Sequence, residues 1–132
     1  MSVARPWIVA AACLGLLGVA MGAFGAHALR IWLPLQMMTV FETGVRYHLF
    51  HVFALLATAG LMELWPRRAI SLRGPAWLFL IGIVLFSGSL YAYTLSGWRP
   101  FAWLTPVGGL AWIVGWGSLA MVAWRTRRGG RG

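Results

Sequence analysis

Residues 41–61 read FETGVRYHLFHVFALLATAGL, a polar opening followed by an uninterrupted apolar run. The polar opening holds one of the two carboxylates of the chain, two of its three histidines, an arginine and a tyrosine. The apolar run that follows is typical of a membrane-spanning helix, which needs about 20 mostly apolar residues. The stretch therefore predicts a transmembrane helix whose few ionisable groups collect near one membrane interface.

The composition of the whole chain also predicts a membrane protein. Its 132 residues are 61% hydrophobic and 10% charged, whereas soluble domains average roughly 25% charged residues. Every basic residue that contributes to the net charge of +9 is an arginine, and the arginines flank apolar runs. This placement favours the phospholipid bilayer as a partner and excludes nucleic acid. The single Cys13 excludes an internal disulfide and a cysteine-based metal cluster.

Four apolar stretches predict an all-α, integral membrane four-helix transmembrane bundle that forms one domain over residues 1–132. The predicted spans are 7–26, 46–65, 76–95 and 101–124. The segment RIWLPLQMMTVFE (30–42) is longer and semi-polar, and it predicts a short interfacial segment between helices 1 and 2. Residues 125–132 hold four arginines and are predicted to form a basic cytoplasmic tail.

The arginines predict the orientation of the bundle. Three of them flank the loops between spans one and two and between spans three and four, namely Arg30, Arg46 and Arg99. The remaining eight lie at the other end, namely Arg5, Arg67, Arg68, Arg73, Arg125, Arg127, Arg128 and Arg131. The positive-inside rule then places both termini in the cytoplasm. Most tryptophans lie near the predicted interfaces, and only Trp112 and Trp116 lie deep in a span.

Glycines at steps of three and four residues predict close helix packing, because small residues allow two backbones to approach in lipid. The predicted packing glycines of span one are Gly15, Gly18, Gly22 and Gly25, and those of span four are Gly108, Gly109 and Gly115.

Polar residues of all four spans fall in the outer half of the predicted bundle, which is the half away from the cytoplasm. Helical phase divides the stretch from Phe41 to His51 into two faces. Glu42 and Arg46 are four residues apart, which predicts an interfacial ion pair. Tyr47 and His51 lie on a different stripe that points into the bundle. The candidate ligand-binding residues are His27, Tyr47, His51, Ser87, Ser89, Tyr91 and Thr105.

Catalytic and metal-dependent functions find little support in the sequence. His27 and His51 lie at different depths, which argues against bis-histidine haem, and zinc would lack ligands. A serine–histidine pair would have no aspartate. We therefore expect no enzyme activity, no metal and no cofactor. The polar cluster remains open to three interpretations, which are structural hydrogen bonding, ligand or proton handling, and catalysis.

Four motifs resemble those of the YgdD/YwdK-like family of small inner-membrane proteins. They are GAFGAH at 22–27, TGxxYxxxH at 43–51, LFSGSLY at 85–91 and TPVGG at 105–109. The resemblance covers nearly the whole chain and implies a four-span protein of the bacterial inner membrane, without implying a biochemical activity. The leading functional hypothesis is a non-enzymatic accessory or structural subunit of a membrane complex or homo-oligomer. The alternative is a binding or transport protein for a quinone, lipid or proton.

Overall fold

The computed structural model describes residues 2–128 and is helical throughout, with short connections and no strand in that range. Four helices are long and apolar enough to cross a membrane. They are α1 (Arg5–Trp32), α2 (Leu35–Leu64), α3 (Arg73–Ser96) and α4 (Thr105–Arg128). Short 3₁₀ turns at Pro66–Arg68 and Arg99–Trp103 lie between α2 and α3 and between α3 and α4. The predicted all-α, four-helix membrane fold is confirmed.

The helices run up and down, so the bundle has two ends. We call the end that holds Arg5, Arg128 and the α2–α3 connection the terminal end. The opposite end, with the α1–α2 and α3–α4 connections, is the distal end. α4 continues to Arg128, so the predicted tail at 125–132 begins as helix. Residues 129–132 of that tail lie outside the described part of the chain.

The second span begins at Leu35 rather than at residue 46. Leu33 is extended, with a ψ of 138°, and Pro34 precedes the first helical residue. Proline is well tolerated there because its fixed φ suits a helix start and the first turn needs no backbone donor. The predicted interfacial segment is therefore reduced to the break at Leu33 and Pro34, and the rest of it forms the last turn of α1 and the first turns of α2.

Two π-helical turns interrupt the regular helices. One lies at Gly25–Leu29 in α1 and the other at Ile83–Ser87 in α3. A π turn inserts one extra residue into an α-helix, so it rotates everything that follows about the helix axis relative to a regular 3.6-residue period. The first turn overlaps the motif GAFGAH at 22–27, the second overlaps LFSGSLY at 85–91, and both change which residues share a face.

α2 and α3 form the centre of the bundle, and α1 and α4 flank them. The helix contacts are concentrated between α1 and α2, α2 and α3, and α3 and α4. In the most apolar stretch of each span, 44% of the α2 residues and 39% of the α3 residues are buried inside the protein. The corresponding share is 17% in each of the two flanking spans. The flanking helices therefore present most of their surface to lipid.

Glycines bring α1 close to α2. A Cβ atom on Gly18 would lie 2.8 Å from the Leu49 side chain, and one on Gly25 would lie 2.7 Å from the Phe41 ring. Both distances are shorter than any ordinary carbon–carbon contact. The other two glycines of this seam, Gly15 and Gly22, would make contacts of 3.5 and 3.4 Å.

The seam between α3 and α4 is tighter. A Cβ atom on Gly108 would lie 2.3 Å from the backbone nitrogen of Phe86, so here one backbone lies directly against the other. Gly109 has more room, with its nearest contact at 3.7 Å, and Gly115 would meet Phe79 at 3.2 Å. α3 contributes a glycine as well, because a Cβ on Gly82 would lie 2.1 Å from the Trp112 indole.

Candidate functional site

The candidate polar residues do not form one site, because α2 carries them on two different faces. His51 faces α4, where it contacts the rings of Trp112 and Trp116. His48 lies beside the α1 backbone, since a Cβ on Gly18 would lie 3.4 Å from its ring, and it bonds to Tyr91 of α3. The two histidines are three positions apart in the sequence, and that offset is enough to place them in different environments.

His51 is the centre of an aromatic cluster between α2 and α4. Its ring is 7% exposed and stacks on Trp112, with a centroid separation of 3.6 Å and an interplanar angle of 2°. Tyr47 lies parallel to the same indole at 6.0 Å, and Phe86 of α3 lies 4.6 Å from it. The Trp112 Nε1 donates to the Phe79 carbonyl at 3.2 Å, which fixes the plane on which His51 stacks.

Both nitrogens of His51 have partners inside the protein. The Trp116 Nε1 lies 3.3 Å from the His51 Nε2, and an indole nitrogen can only donate, so Nε2 accepts. The Nδ1 lies 2.8 Å from the Tyr47 carbonyl oxygen, which can only accept, so Nδ1 carries the proton. These two hydrogen bonds select the neutral Nδ1–H tautomer. They also leave His51 without a nitrogen for a metal or a substrate.

A groove runs along this cluster between α2 and α4, and we call it the α2–α4 groove. Its volume is about 830 Å³. Several of its residues are exposed, including Tyr47 (41%) and Trp116 (50%), and they lie within the spans, so the groove opens sideways toward lipid. The groove is lined by Thr43, Tyr47, His51, Phe86, Pro106, Gly109, Leu110, Trp112, Ile113 and Trp116.

His48 and Tyr91 form a second, separate pair. The His48 ring is 1% exposed, and its Nδ1 lies 3.0 Å from the Tyr91 hydroxyl. The other ring nitrogen, Nε2, is buried and has no hydrogen-bond partner within residues 2–128. The Tyr91 ring packs against Gly44, where a Cβ atom would lie 3.0 Å away. This pair joins α2 to α3 and does not reach the α2–α4 groove.

The candidate hydroxyl residues join helices through hydrogen bonds. The Ser87 hydroxyl is fully buried and donates to the Gly44 carbonyl on α2 at 2.8 Å. The Ser89 hydroxyl donates to the Phe86 carbonyl at 2.8 Å and lies 2.7 Å from the Thr105 hydroxyl on α4. Ser87 and Ser89 therefore bind α3 to α2 on one side and to α4 on the other.

His27 and the predicted ion pair lie elsewhere. His27 is exposed on the π turn of α1 and belongs to neither histidine environment. Glu42 pairs with Arg30 of α1 at 3.6 Å, in place of the predicted pairing with Arg46. The extension of α1 to Trp32 brings Arg30 to the level of Glu42, and spacing along α2 alone could not reveal that competing partner. Both members of the pair are largely exposed.

Three residues of these clusters were absent from the candidate set. Trp112 and Trp116 had one signal in the sequence, because they were the two tryptophans that lay away from the predicted interfaces. His48 had none beyond its position between Tyr47 and His51. In addition, no three metal-ligating side chains come together among the residues that the structure describes.

Comparison with known proteins yields a family without an assigned activity. Residues 21–109 match the family described as "Protein of unknown function (DUF423)". The inner membrane protein YgdD of Escherichia coli, named as a UPF0382 protein, is 39% identical over 96% of this chain and 95% of its own length. The membrane protein YwdK of Bacillus subtilis is 38% identical over 90% of this chain and 96% of its own. No solved structure matches the protein.

A UPF0382 membrane protein of Haemophilus influenzae is also 38% identical, over 92% of this chain and 95% of its own length. Identity at this level over nearly full length confirms the resemblance drawn from the four motifs. Four apolar helices and these relatives identify a multi-pass protein of the bacterial inner membrane. The chain belongs to the DUF423 family, which includes the UPF0382 membrane proteins YgdD and YwdK.

Proposed function

We propose that this protein is a non-enzymatic membrane protein that binds a lipophilic small molecule with a planar, hydrogen-bonding headgroup, of the quinone class, in the α2–α4 groove. The aromatic wall of that groove is the observation that carries the proposal. Its volume of about 830 Å³ lies within the range of roughly 300–1,000 Å³ usual for ligand sites. Its opening faces the lipid, from which such a ligand would arrive.

The chemistry of the groove favours a flat ligand. Offset stacking is available to a planar ring on the exposed rings of Tyr47 and Trp116, and aromatic pairs of this kind contribute about 0.5–1.5 kcal/mol beyond area burial. The Tyr47 hydroxyl can donate to a carbonyl oxygen of the headgroup. His51 supports the wall without contacting the ligand through a nitrogen, because both its nitrogens are bonded within the protein. That arrangement argues against proton transfer through His51.

The use of the polar groups supports a non-enzymatic role. Ser87, Ser89 and His51 would be the first candidates for a nucleophile and its base, and each is bonded to a neighbouring helix or to the backbone. A serine-reactive fluorophosphonate probe should therefore leave the protein unlabelled. Stoichiometric labelling of Ser89 would instead establish a reactive serine and contradict the proposal.

Binding can be measured with decylubiquinone as the probe and tryptophan fluorescence as the signal, in protein reconstituted in nanodiscs. Tyr47→Phe should weaken binding about fivefold, the effect of one lost hydrogen bond of about 1 kcal/mol. Gly109→Leu should weaken it further by filling the groove. Tyr93→Phe, at a tyrosine of α3 that does not line the groove, is the matched control. Wild-type affinity in both groove variants would rule out this site.

A second candidate function is that of a subunit in a homo-oligomer or a membrane complex. It is favoured by Gly60, which lies on an exposed face of α2 with nothing within 4 Å of a built Cβ. Small residues on a lipid-facing stripe allow another helix to approach closely, and Ala57 lies one turn away. Gentle purification from native membranes should then give a complex that Gly60→Leu disrupts. A lone monomer without a co-purifying protein would contradict this role.

We also propose that both termini lie in the cytoplasm, on the basis of the arginine bias between the two ends. The test uses a membrane-impermeant maleimide on intact spheroplasts, in a Cys13→Ala background. Gln36→Cys at the distal end should react, whereas Gly74→Cys at the terminal end should react only after lysis. The reverse pattern would establish the opposite orientation.

A further inference from the structure

A second cleft lies at the terminal end, away from the α2–α4 groove, and its polar and apolar parts are arranged as in a phospholipid. It has a volume of about 530 Å³ and lies between the α2–α3 connection and the last turns of α4. We call it the terminal cleft. It is lined by Arg68, Ser71, Val114, Gly117, Ser118, Met121, Val122 and Arg125.

The part of the terminal cleft nearest the helix ends is positively charged. The Arg68 Nη2 donates to the backbone carbonyl of Arg125 at 3.4 Å, which brings the two arginines to the same rim. This bond uses one of the five guanidinium donors of Arg68 and covers a carbonyl of the last turns of α4, where the helix dipole is negative. Ser71, just before the start of α3 at Arg73, adds a hydroxyl beside the positive end of that helix.

The part of the terminal cleft that extends toward the middle of the bundle is apolar and open. Val114 and Met121 form its sides along α4, and both are exposed. Nothing lies within 4 Å of a Cβ built on Gly117, so the surface between them is a shallow channel. From Arg125 to Val114 the helix rises about 16 Å at 1.5 Å per residue. This is about half the roughly 30 Å thickness of the hydrocarbon core, the depth of one leaflet.

We infer that the terminal cleft binds an anionic glycerophospholipid, with its phosphate between Arg68 and Arg125 and an acyl chain along Gly117. Arginine forks match phosphate oxygens, and basic pockets between membrane helices are known to hold lipid headgroups. None of the described residues that line the cleft carries a carboxylate. A zwitterionic headgroup would therefore place its ammonium among arginines without an acidic partner, which favours phosphatidylglycerol over phosphatidylethanolamine.

The test is native mass spectrometry of the full chain released from nanodiscs made of equal parts phosphatidylglycerol and phosphatidylethanolamine. The wild-type protein should retain phosphatidylglycerol preferentially. Arg68→Gln and Arg125→Gln should each reduce that retention about fivefold, since a basic residue near an anionic surface contributes about 1 kcal/mol. Arg67→Gln, in the same 3₁₀ turn but outside the cleft, is the charge-matched control and should retain lipid as the wild type does.

Gly117→Leu separates a lipid from a free phosphate. It fills the acyl channel without altering charge, and the open space at Gly117 allows the protein to fold. It should reduce phosphatidylglycerol retention as much as the arginine variants do, with unchanged helicity by circular dichroism. Equal retention of the two lipids, or wild-type retention in Gly117→Leu, would overturn the inference. A third result would also overturn it. Inorganic phosphate would bind to Gly117→Leu in a way that depends on Arg68, and it would compete fully with the lipid for that variant.

Discussion

Replacement of Gly108 by alanine tests the backbone contact between α3 and α4. The added Cβ would lie 2.3 Å from the Phe86 nitrogen and 2.8 Å from its Cα. Neither atom can move independently of the α3 backbone. Since non-bonded atoms prefer separations of about 3.5 Å or more, the two helices would have to part by about 1 Å along this seam.

The magnitude follows from a comparison with the neighbouring glycine. Gly109→Ala introduces the same methyl group at the next position of the same helix, where its nearest contact is a Phe86 ring atom at 3.7 Å. The gain in helix propensity, about 1 kcal/mol, is common to both variants and cancels between them. The remaining difference is overpacking, which costs about 1–3 kcal/mol. Gly108→Ala should therefore be less stable than Gly109→Ala by about 2 kcal/mol.

The measurement is unfolding in mixed micelles, with maltoside-solubilised protein titrated with dodecyl sulfate and followed by far-ultraviolet circular dichroism and tryptophan fluorescence. Gly108→Ala should unfold at a lower dodecyl sulfate fraction than the wild type. Gly109→Ala should unfold at the wild-type fraction or above it. If the two variants share one midpoint, or if Gly108→Ala is the more stable, α3 and α4 do not meet backbone to backbone at Gly108.

Three further changes can be followed in the same titration. Ser87→Ala removes the bond to the Gly44 carbonyl and should lower the free energy of unfolding by about 0.6–1.5 kcal/mol, so an unchanged midpoint would argue against that bond. Tyr91→Phe leaves the buried His48 Nδ1 without its partner and should lower the free energy of unfolding by about 1–3 kcal/mol. An unchanged midpoint would instead indicate that His48 is in contact with water. Glu42→Gln breaks an exposed ion pair and should change the free energy of unfolding by less than about 1 kcal/mol, so a larger loss would contradict this prediction.

The two histidines of α2 show which features of the candidate site the helical period predicts and which it does not. The 3.6-residue period correctly separated Glu42 from the stripe of Tyr47 and His51. It did not identify the partner of either histidine, because a period describes which residues share a face and not which helix lies opposite. The candidate set placed Tyr91 with His51, whereas Tyr91 bonds His48 on another face of α2.

The π turns alter the helical phase next to several candidate residues. A stripe extrapolated through residues 83–87 assumes a regular helix, and the extra residue of the π turn rotates the stripe. Ser87 meets α2 and Ser89 meets α4, because residues two apart on a helix point about 200° away from each other. The turn at Gly25–Leu29 lies likewise in the motif that carries His27, which the structure leaves exposed.

Composition and hydrophobic length alone determined that this chain is an all-α membrane protein with four spans, because apolar runs of this length are stable only as helices in lipid. The tertiary structure decided which helices are central and which flank them, and it decided the division of the polar residues into separate pairs. Those outcomes depend on how closely α3 and α4 approach at Gly108 and on how Trp112 packs on His51. Such contacts join residues far apart in the chain, and no local pattern specifies them.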